Sequence, residues 1–480
     1  MSKLFGIVLT TIIAVGQTTA DDVDDLIREL NATSAAQGTD DIKSWREVFG
    51  AILDAPEAPM EIGTSFNMYT VWPGMKGWPE VRDWAESNPD LFEAILAARD
   101  RATLGLPYGD LSEADEAFVE AGILALPAPG GDPMKTEFPW IDKLNWVTTC
   151  VTAEAWRRAE AGDVMSGIDL QIALVQWLRQ CCTREFIDEQ YNAISSMSVA
   201  LQVTREIAWW KRSELNPEGL KVIARNILPS LKVDRNNLLM AEGDKELAKV
   251  RLEQLFSRRG QADPEAFLEF FTDQDNDAKG FGRIRNAGYW KWVAKKHKPQ
   301  ELTQEKLDDV YDDWWRRWRI QAYDPILSAQ PPESERMNAT RYAAVLKIVP
   351  EIRPLFEQRN RLLAEVNGTC VALAVCVQYQ MDGGRWPSDI RSSRSHTRRL
   401  SVVDPFSPTS KEFMIYKPIR LSIQGSANAV EVPAGIPVIY SRGVDTVDGD
   451  AKVHQDDGSI GDIVVWPPLR MLEREQDLRD

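Results

Sequence analysis

Apolar residues recur at intervals of three and four along most of the chain from Asp21 to about Asn338, with short polar or Pro/Gly-rich breaks between the runs. That spacing places one apolar face on a helix. In "DDIKSWREVFGAILDA" the face is made by Ile42, Trp45, Val48, Phe49 and Ile52. "NPDLFEAILAARDRATLG" predicts a helix that opens at Asn88-Pro89, with Asn as cap and Pro in the first turn, and closes near Gly105. The segment between them, "SFNMYTVWPGMKGWPEV", carries two Trp-Pro pairs and predicts an extended, turning connection. "LPAPGGDPMKTEFPW", over 126–140, reads as a subdomain break.

The strongest helical pair spans about Ile141 to Cys182. Its first member ends in "AEAWRRAEAGD", where Gly162 suits the left-handed residue that closes a helix. In the second, Leu170, Leu174, Trp177, Leu178 and Cys181 form one stripe, so the two predict an antiparallel hairpin like a single tetratricopeptide-type unit. "MAEGD" echoes "AEAGD", but their Gly-Asp pairs are 243 − 162 = 81 residues apart. That separation does not fit a period of about 34 residues, and an irregular bundle is expected instead of a repeat array. "LDDVYDDWWRRWRIQAY" gathers Leu307, Val310, Tyr311, Trp314 and Trp318 on one face and leaves Arg316, Arg317 and Arg319 mainly off it. "KKHK", at 295–298, ends a helix before Pro299 and complements the negative helix terminus.

The pattern changes near the C-terminus. A helix from about Leu355 carries Val366, Cys370, Leu373, Val377 and Met381 on one side, with Val371, Val375 and Tyr379 on a neighbouring stripe. Asp382-Gly383-Gly384 then stops it, and Pro387 prevents resumption. "EFMIY" (412–416), "IPVIYS" (436–441) and "DIVVW" (462–466) follow as strand-like runs. The expected fold is therefore mainly α: an irregular helical bundle or hairpin stack over 21–345, then a small α+β module over 346–480 with an antiparallel sheet on its helix.

Composition narrows the function classes. The 480-residue chain is 44% hydrophobic and 27% charged, ordinary for a globular protein. Its net charge of −17 argues against a nucleic-acid binder. "MSKLFGIVLTTIIAVGQTTA", over 1–20, has a Lys, an apolar run at 4–16 and small residues before an acidic "DDVDD". It reads as a cleaved secretory signal, the rival being a membrane anchor through 4–16. Five cysteines, Cys150, Cys181, Cys182, Cys370 and Cys376, are too few for a disulfide framework and read as small core residues. With no CxxC and with His297, His396 and His454 scattered, a zinc site is not expected.

"DQDNDAKG", over 273–280, starts like a calcium loop, but Ala278 stands where Gly is needed and Ile284 where a bidentate Glu is needed. No nucleophile elbow, phosphate loop, dinucleotide fingerprint or HExxH occurs, and no local carboxylate pair is marked as acid and base. "RSSRSHTRRL" at 391–400 reads as an arginine-rich loop.

"VQYQMDGGRWPSDI", "DPFS", Tyr416, "YSRGVDTVDGD" and "GDIVVW", in that order, resemble the C-terminal part of a family of exported, mostly helical bacterial proteins of unknown function, familiar from planctomycetes. Those endings are in turn similar to the globular domain of the major type II secretion pseudopilin. The "AEAGD" hairpin and the "SFNMYTVWP" loop also resemble the exported family. A pseudopilin has a Glu just inside its N-terminal apolar run; "LFGIVLTTIIAVG" has none, so the resemblance does not imply pilus assembly. It does imply calcium at an aspartate-rich loop, here at Asp445, Asp448 and Asp450, with Asp456, Asp457 and Asp462 nearby. The function expected is an exported, noncatalytic structural or interaction protein of the cell envelope, periplasmic or secreted, whose partner is an envelope protein or wall component. Membrane contact is expected only if 4–16 stays uncleaved. The alternative is an exported hydrolase using carboxylates in a groove of the helical domain.

Overall fold

The computed structural model describes residues 23–33, 38–59, 66–109, 116–124, 136–272, 281–408, 415–417, 421–424, 429–453 and 461–477. The N-terminal segment 1–22, the 273–280 loop, His454, Asp456 and Asp457 lie outside the described residues.

The predicted hairpin is the centre of the helical part. Helices Trp140–Glu160 and Val164–Cys181 run antiparallel across Gly162, whose φ of 92° is the left-handed turn expected there. The Asp163 carboxylate accepts the Ser166 amide of the second helix. Leu170, Leu174, Trp177, Leu178 and Cys181 are all buried. A third helix, Ile187–Trp210, packs on both hairpin members and on the long helix Arg353–Met381. This third helix is buried on nearly every side, charged Glu189, Arg205 and Glu206 included, so it has a neighbour in most directions. Leu307, Val310, Tyr311, Trp314 and Trp318 of helix Gln300–Arg319 face inward as their spacing requires. All five cysteines are buried and unpaired.

Some local expectations give way to competing chemistry. The Asn88 amide donates to the Trp84 carbonyl at 2.7 Å, closing the helix behind it, and does not cap Pro89–Ala98. That helix ends at Ala98, seven residues before Gly105, and the chain turns there before Thr103 pairs with Lys43. Trp78-Pro79 opens a helix, Trp78–Glu86, and is not part of an extended connection. Pro in a first turn sacrifices an N–H that has no helical partner there. Arg317, expected off the apolar face, is buried and bonded to Asp313 and to the Gln330 carbonyl, both at 2.8 Å. Met381 is exposed at the frayed end of its stripe.

The long helix Arg353–Met381 stops as expected, with Gly383 at φ 67° and Gly384 at φ 84°. Three strands, Ile415–Lys417 (β1), Val438–Ser441 (β4) and Ile463–Trp466 (β5), form an antiparallel sheet in the order β1-β4-β5. Leu421–Gln424 (β2) and Ala429–Val432 (β3) add an antiparallel ribbon, and Leu469–Asp477 adds a last helix; neither was expected from the pattern. The fold is thus mainly α with a small α+β end. The sheet lies so close to the long helix that a Cβ on Gly368 would stand 2.5 Å from the Val465 side chain.

The two parts share buried polar ties. Arg205 reaches Glu365 and Thr369 on the long helix, each at 2.6 Å. The next residue, Glu206, points the other way and holds Arg470 of the last helix. Trp386 of "GGRWP" packs among Tyr379, Trp466 and Trp209, whose ring centroids lie 4.2, 5.8 and 6.2 Å away. Asp404 of "DPFS" accepts the Ser441 hydroxyl at 2.6 Å and the Arg442 amide at 3.1 Å, fastening that loop to the end of β4. Among the described residues one helix, Arg353–Met381, is long and apolar enough to cross a membrane, and its apolar stretch is mostly buried within the protein.

Candidate functional site

A cavity of about 470 Å³ opens where the helical part meets the acidic turn after β4. Helix Gln300–Arg319 supplies Trp314 and Arg317, and the loop after it supplies Tyr323, Asp324 and Leu327. The first turns of the long helix add Arg353, Phe356, Glu357 and Asn360. Phe406 of "DPFS" and Val444, Asp445 and Thr446 of the acidic turn close the other side.

These positions follow from local structure. Trp314 and Phe356 are both buried and lie against each other, with centroids 6.0 Å apart. The Arg317 guanidinium is held by Asp313 and Gln330, so its position is set before anything binds. Asp324 accepts the Ile326 amide at 3.0 Å, which shapes the loop. Arg353 pairs with Glu335. Burial pushes the Glu357 carboxyl above its ordinary value, and neighbouring Arg353 only partly opposes this. A second cavity of about 330 Å³ shares Trp314 and Arg353 and extends the depression past Ile352 towards Leu346. The combination of aromatic faces, two fixed guanidiniums and three carboxylates suits a ligand with apolar surface and charges of either sign.

The residues singled out for calcium diverge. Asp445 lines the cavity, and its carboxylate accepts the Val447 amide at 3.0 Å. Asp448 accepts the Tyr440 hydroxyl at 2.8 Å and the Asp450 amide at 3.2 Å. Asp450 is drawn to Lys417 on β1. Asp462, at the start of β5, accepts the Lys452 amide at 3.1 Å through one oxygen, while its other oxygen is buried without a partner among the described residues. Burial raises the Asp462 pKa to about 6, with Asp448 and Asp445 adding to the rise and backbone amides opposing it. An orphaned carboxylate oxygen, in a site where Asp448 and Asp445 add negative charge, fits a cation in part. Among the described residues, however, no three His, Cys, Asp or Glu side chains converge as a metal cage.

Sequence reasoning missed a second polar cluster inside the helical part. Buried Glu189 accepts the Tyr108 hydroxyl and the Trp140 indole, each at 2.6 Å, and Arg184 at 2.9 Å. Arg184 also lies over the Tyr108 ring at 3.8 Å. These residues come from three separate segments, so no local spacing announces them. The cluster is enclosed and pairs Glu189 with Arg184, though one Arg184 nitrogen is buried with no partner among the described residues, and it locks three segments together. No protein-family model, curated protein or solved structure matches the chain.

Proposed function

We propose that this is an exported, noncatalytic structural or interaction protein of the cell envelope, whose C-terminal module is pseudopilin-like and whose partner is an envelope protein or wall component. The observation that supports this reading is the aromatic cavity at the seam, framed by elements that buried ion pairs hold in place and flanked by exposed Ile326, Val444 and Val447. Exposed apolar side chains around a preformed depression favour docking, because little ordering cost remains to oppose binding. The test is a photo-crosslinking residue placed at Val447 in intact cells, with one at exposed Val222 as control. A discrete adduct at Val447 alone is expected; no captured protein or wall component at either position would remove the reading.

One observation favours a second reading, an exported hydrolase. Glu357 is a carboxyl of raised pKa in a cavity that also holds Asp324 and Asp445, the pairing an acid and base would need. An activity in a substrate screen that Glu357→Gln abolishes while the fold persists would replace the first reading with this one.

A further inference from the structure

The helix Phe281–Lys296 is anomalous in so acidic a chain. Residues 281–298 include Arg283, Arg285, Lys291, Lys295, Lys296 and Lys298, with no Asp or Glu among them, against a net charge of −17 for the whole. One face of this helix is spent on packing. Trp290 stacks on Phe271 at 3.9 Å, and Val293, Ala294 and His297 are buried. The opposite face points outward with Tyr289, Trp292, Lys295 and Lys296, at positions i, i+3, i+6 and i+7. Tyr289 and Trp292 are 49% and 48% exposed, with rings 6.0 Å apart and inclined by 29°. Two rings this large left half in water on a soluble helix need an explanation.

Neighbouring loops enlarge the basic region. The Gln300 amide donates to the Gly260 carbonyl at 2.9 Å, which sets exposed Arg258 and Arg259 beside the helix end. The Lys298 amide donates to the Arg341 carbonyl at 3.0 Å, which brings exposed Arg341 there too. Among the described residues Arg258, Arg259, Lys295, Lys296, Lys298 and Arg341 form no ion pair, whereas Lys291 is neutralised by Glu265. Among the described residues the nearby acids are Glu265, already paired, Asp263, whose carboxylate accepts the Glu265 and Ala266 amides, Glu269 on the packed neighbouring helix, and Glu301 and Glu305 beyond Pro299; Asp273, Asp275 and Asp277 precede the helix in sequence, outside the described residues.

We infer that this face docks on an anionic phospholipid surface, with Tyr289 and Trp292 at headgroup depth and the lysines and arginines against lipid phosphates. Tyr and Trp favour the membrane interface because one end of each ring system is apolar and the other is polar. Basic side chains beside them add attraction for anionic lipid. A helix that lies on a bilayer in this way needs an apolar patch backed by cationic charge, and the outward stripe supplies both. The inference concerns a different surface from the seam cavity and does not depend on the function proposed above.

The test is co-sedimentation of the full chain with vesicles of phosphatidylcholine alone and of phosphatidylcholine mixed equally with phosphatidylglycerol. Residues 4–16 would insert into both kinds alike, so the readout is the difference between them. The chain is expected to bind the anionic vesicles more tightly and to lose that excess at high salt. Each of Lys295→Gln and Lys296→Gln is expected to lower the anionic affinity about fivefold. Trp292→Ala is expected to weaken anionic binding at every salt concentration. All three positions are exposed, so unchanged circular dichroism and melting are expected in the variants. Equal binding to the two vesicle types, or an excess that the lysine variants keep, would overturn the inference. So would selective binding to a soluble anionic polysaccharide with none to vesicles.

Discussion

Arg470 grips Glu206 through two parallel hydrogen bonds of 2.7 and 2.9 Å, although 264 residues separate them in the chain. Both side chains are buried, and Arg474 adds a third contact to the same carboxylate at 3.3 Å. One helix, Ile187–Trp210, therefore clasps the long helix with Arg205 and the C-terminal helix with Glu206. Breaking a buried pair by removing one partner leaves an uncompensated charge and costs about 3–5 kcal/mol. Glu206→Met is expected to destabilise by about that amount in chemical denaturation, and Arg470→Met by less, because Arg474 still holds the carboxylate. The double variant is expected to lose less than the sum, because neither Arg470 nor Glu206 is then stranded by the other and only Arg474 gives up its carboxylate. Additive losses would show that the pair contributes nothing as a pair.

Asp244 carries a pH signature. It accepts the Ile187 amide at 2.7 Å, and burial raises its pKa to about 7, with Asp188 and Glu189 adding to the rise. The folded state thus holds a proton that the unfolded state has released above its ordinary value of 3.8. Stability from this group is full below about pH 4 and is lost as pH rises through about 7. The shift caps the loss at about 4 kcal/mol, and solvent at the partly exposed edge of Asp244 reduces it. Asp244→Asn is expected to flatten the stability profile between those limits and to exceed the wild type at pH 8, as melting midpoints across pH will report.

Two helical glycines should answer the same substitution with opposite signs. Ala has a higher helix propensity than Gly by about 1 kcal/mol. At Gly288 nothing among the described residues lies within 4 Å of an added Cβ, so Gly288→Ala is expected to stabilise by up to about 1 kcal/mol. At Gly368 the new methyl group would meet Val465, and overpacking is expected to cost about 1–3 kcal/mol and outweigh the propensity gain. A stabilised Gly368→Ala variant would mean that the sheet does not press on the long helix.

The acidic turn offers a test of calcium that does not depend on a partner. Calcium drawn to the orphaned oxygen of Asp462 would remove the penalty that raises the Asp462 pKa to about 6. The melting midpoint is expected to be higher in calcium than in chelator, and Asp462→Asn is expected to abolish the difference. Equal midpoints for the wild-type chain would take calcium out of the account.

The helical hairpin, the inward stripe of helix Gln300–Arg319 and the stop at Gly383-Gly384 were legible because each is a local matter. Helical period, left-handed turns and side-chain size act within a few residues. β2, β3 and the final helix were not, since strands of four residues and a helix with few apolar positions depend on the surface they land on. Asn88 shows the same limit at one residue: its type suits a cap, and its neighbour Trp84 claims the side chain instead.

The candidate sites divide along the same line. The sequence placed Asp445, Asp448 and Asp450 together on one acidic turn, because adjacency along the chain brings their backbones together. It could not show that Asp450 turns to Lys417, that Asp448 serves Tyr440, or that Asp445 looks into a cavity beside Glu357. Nor could it show that Arg258 and Arg341 gather around Lys295 and Lys296. A sequence by itself determines the period and capping of its elements, because those energies are short-ranged. Which charges meet, and whether water still reaches them, was decided only when segments hundreds of residues apart closed on one another.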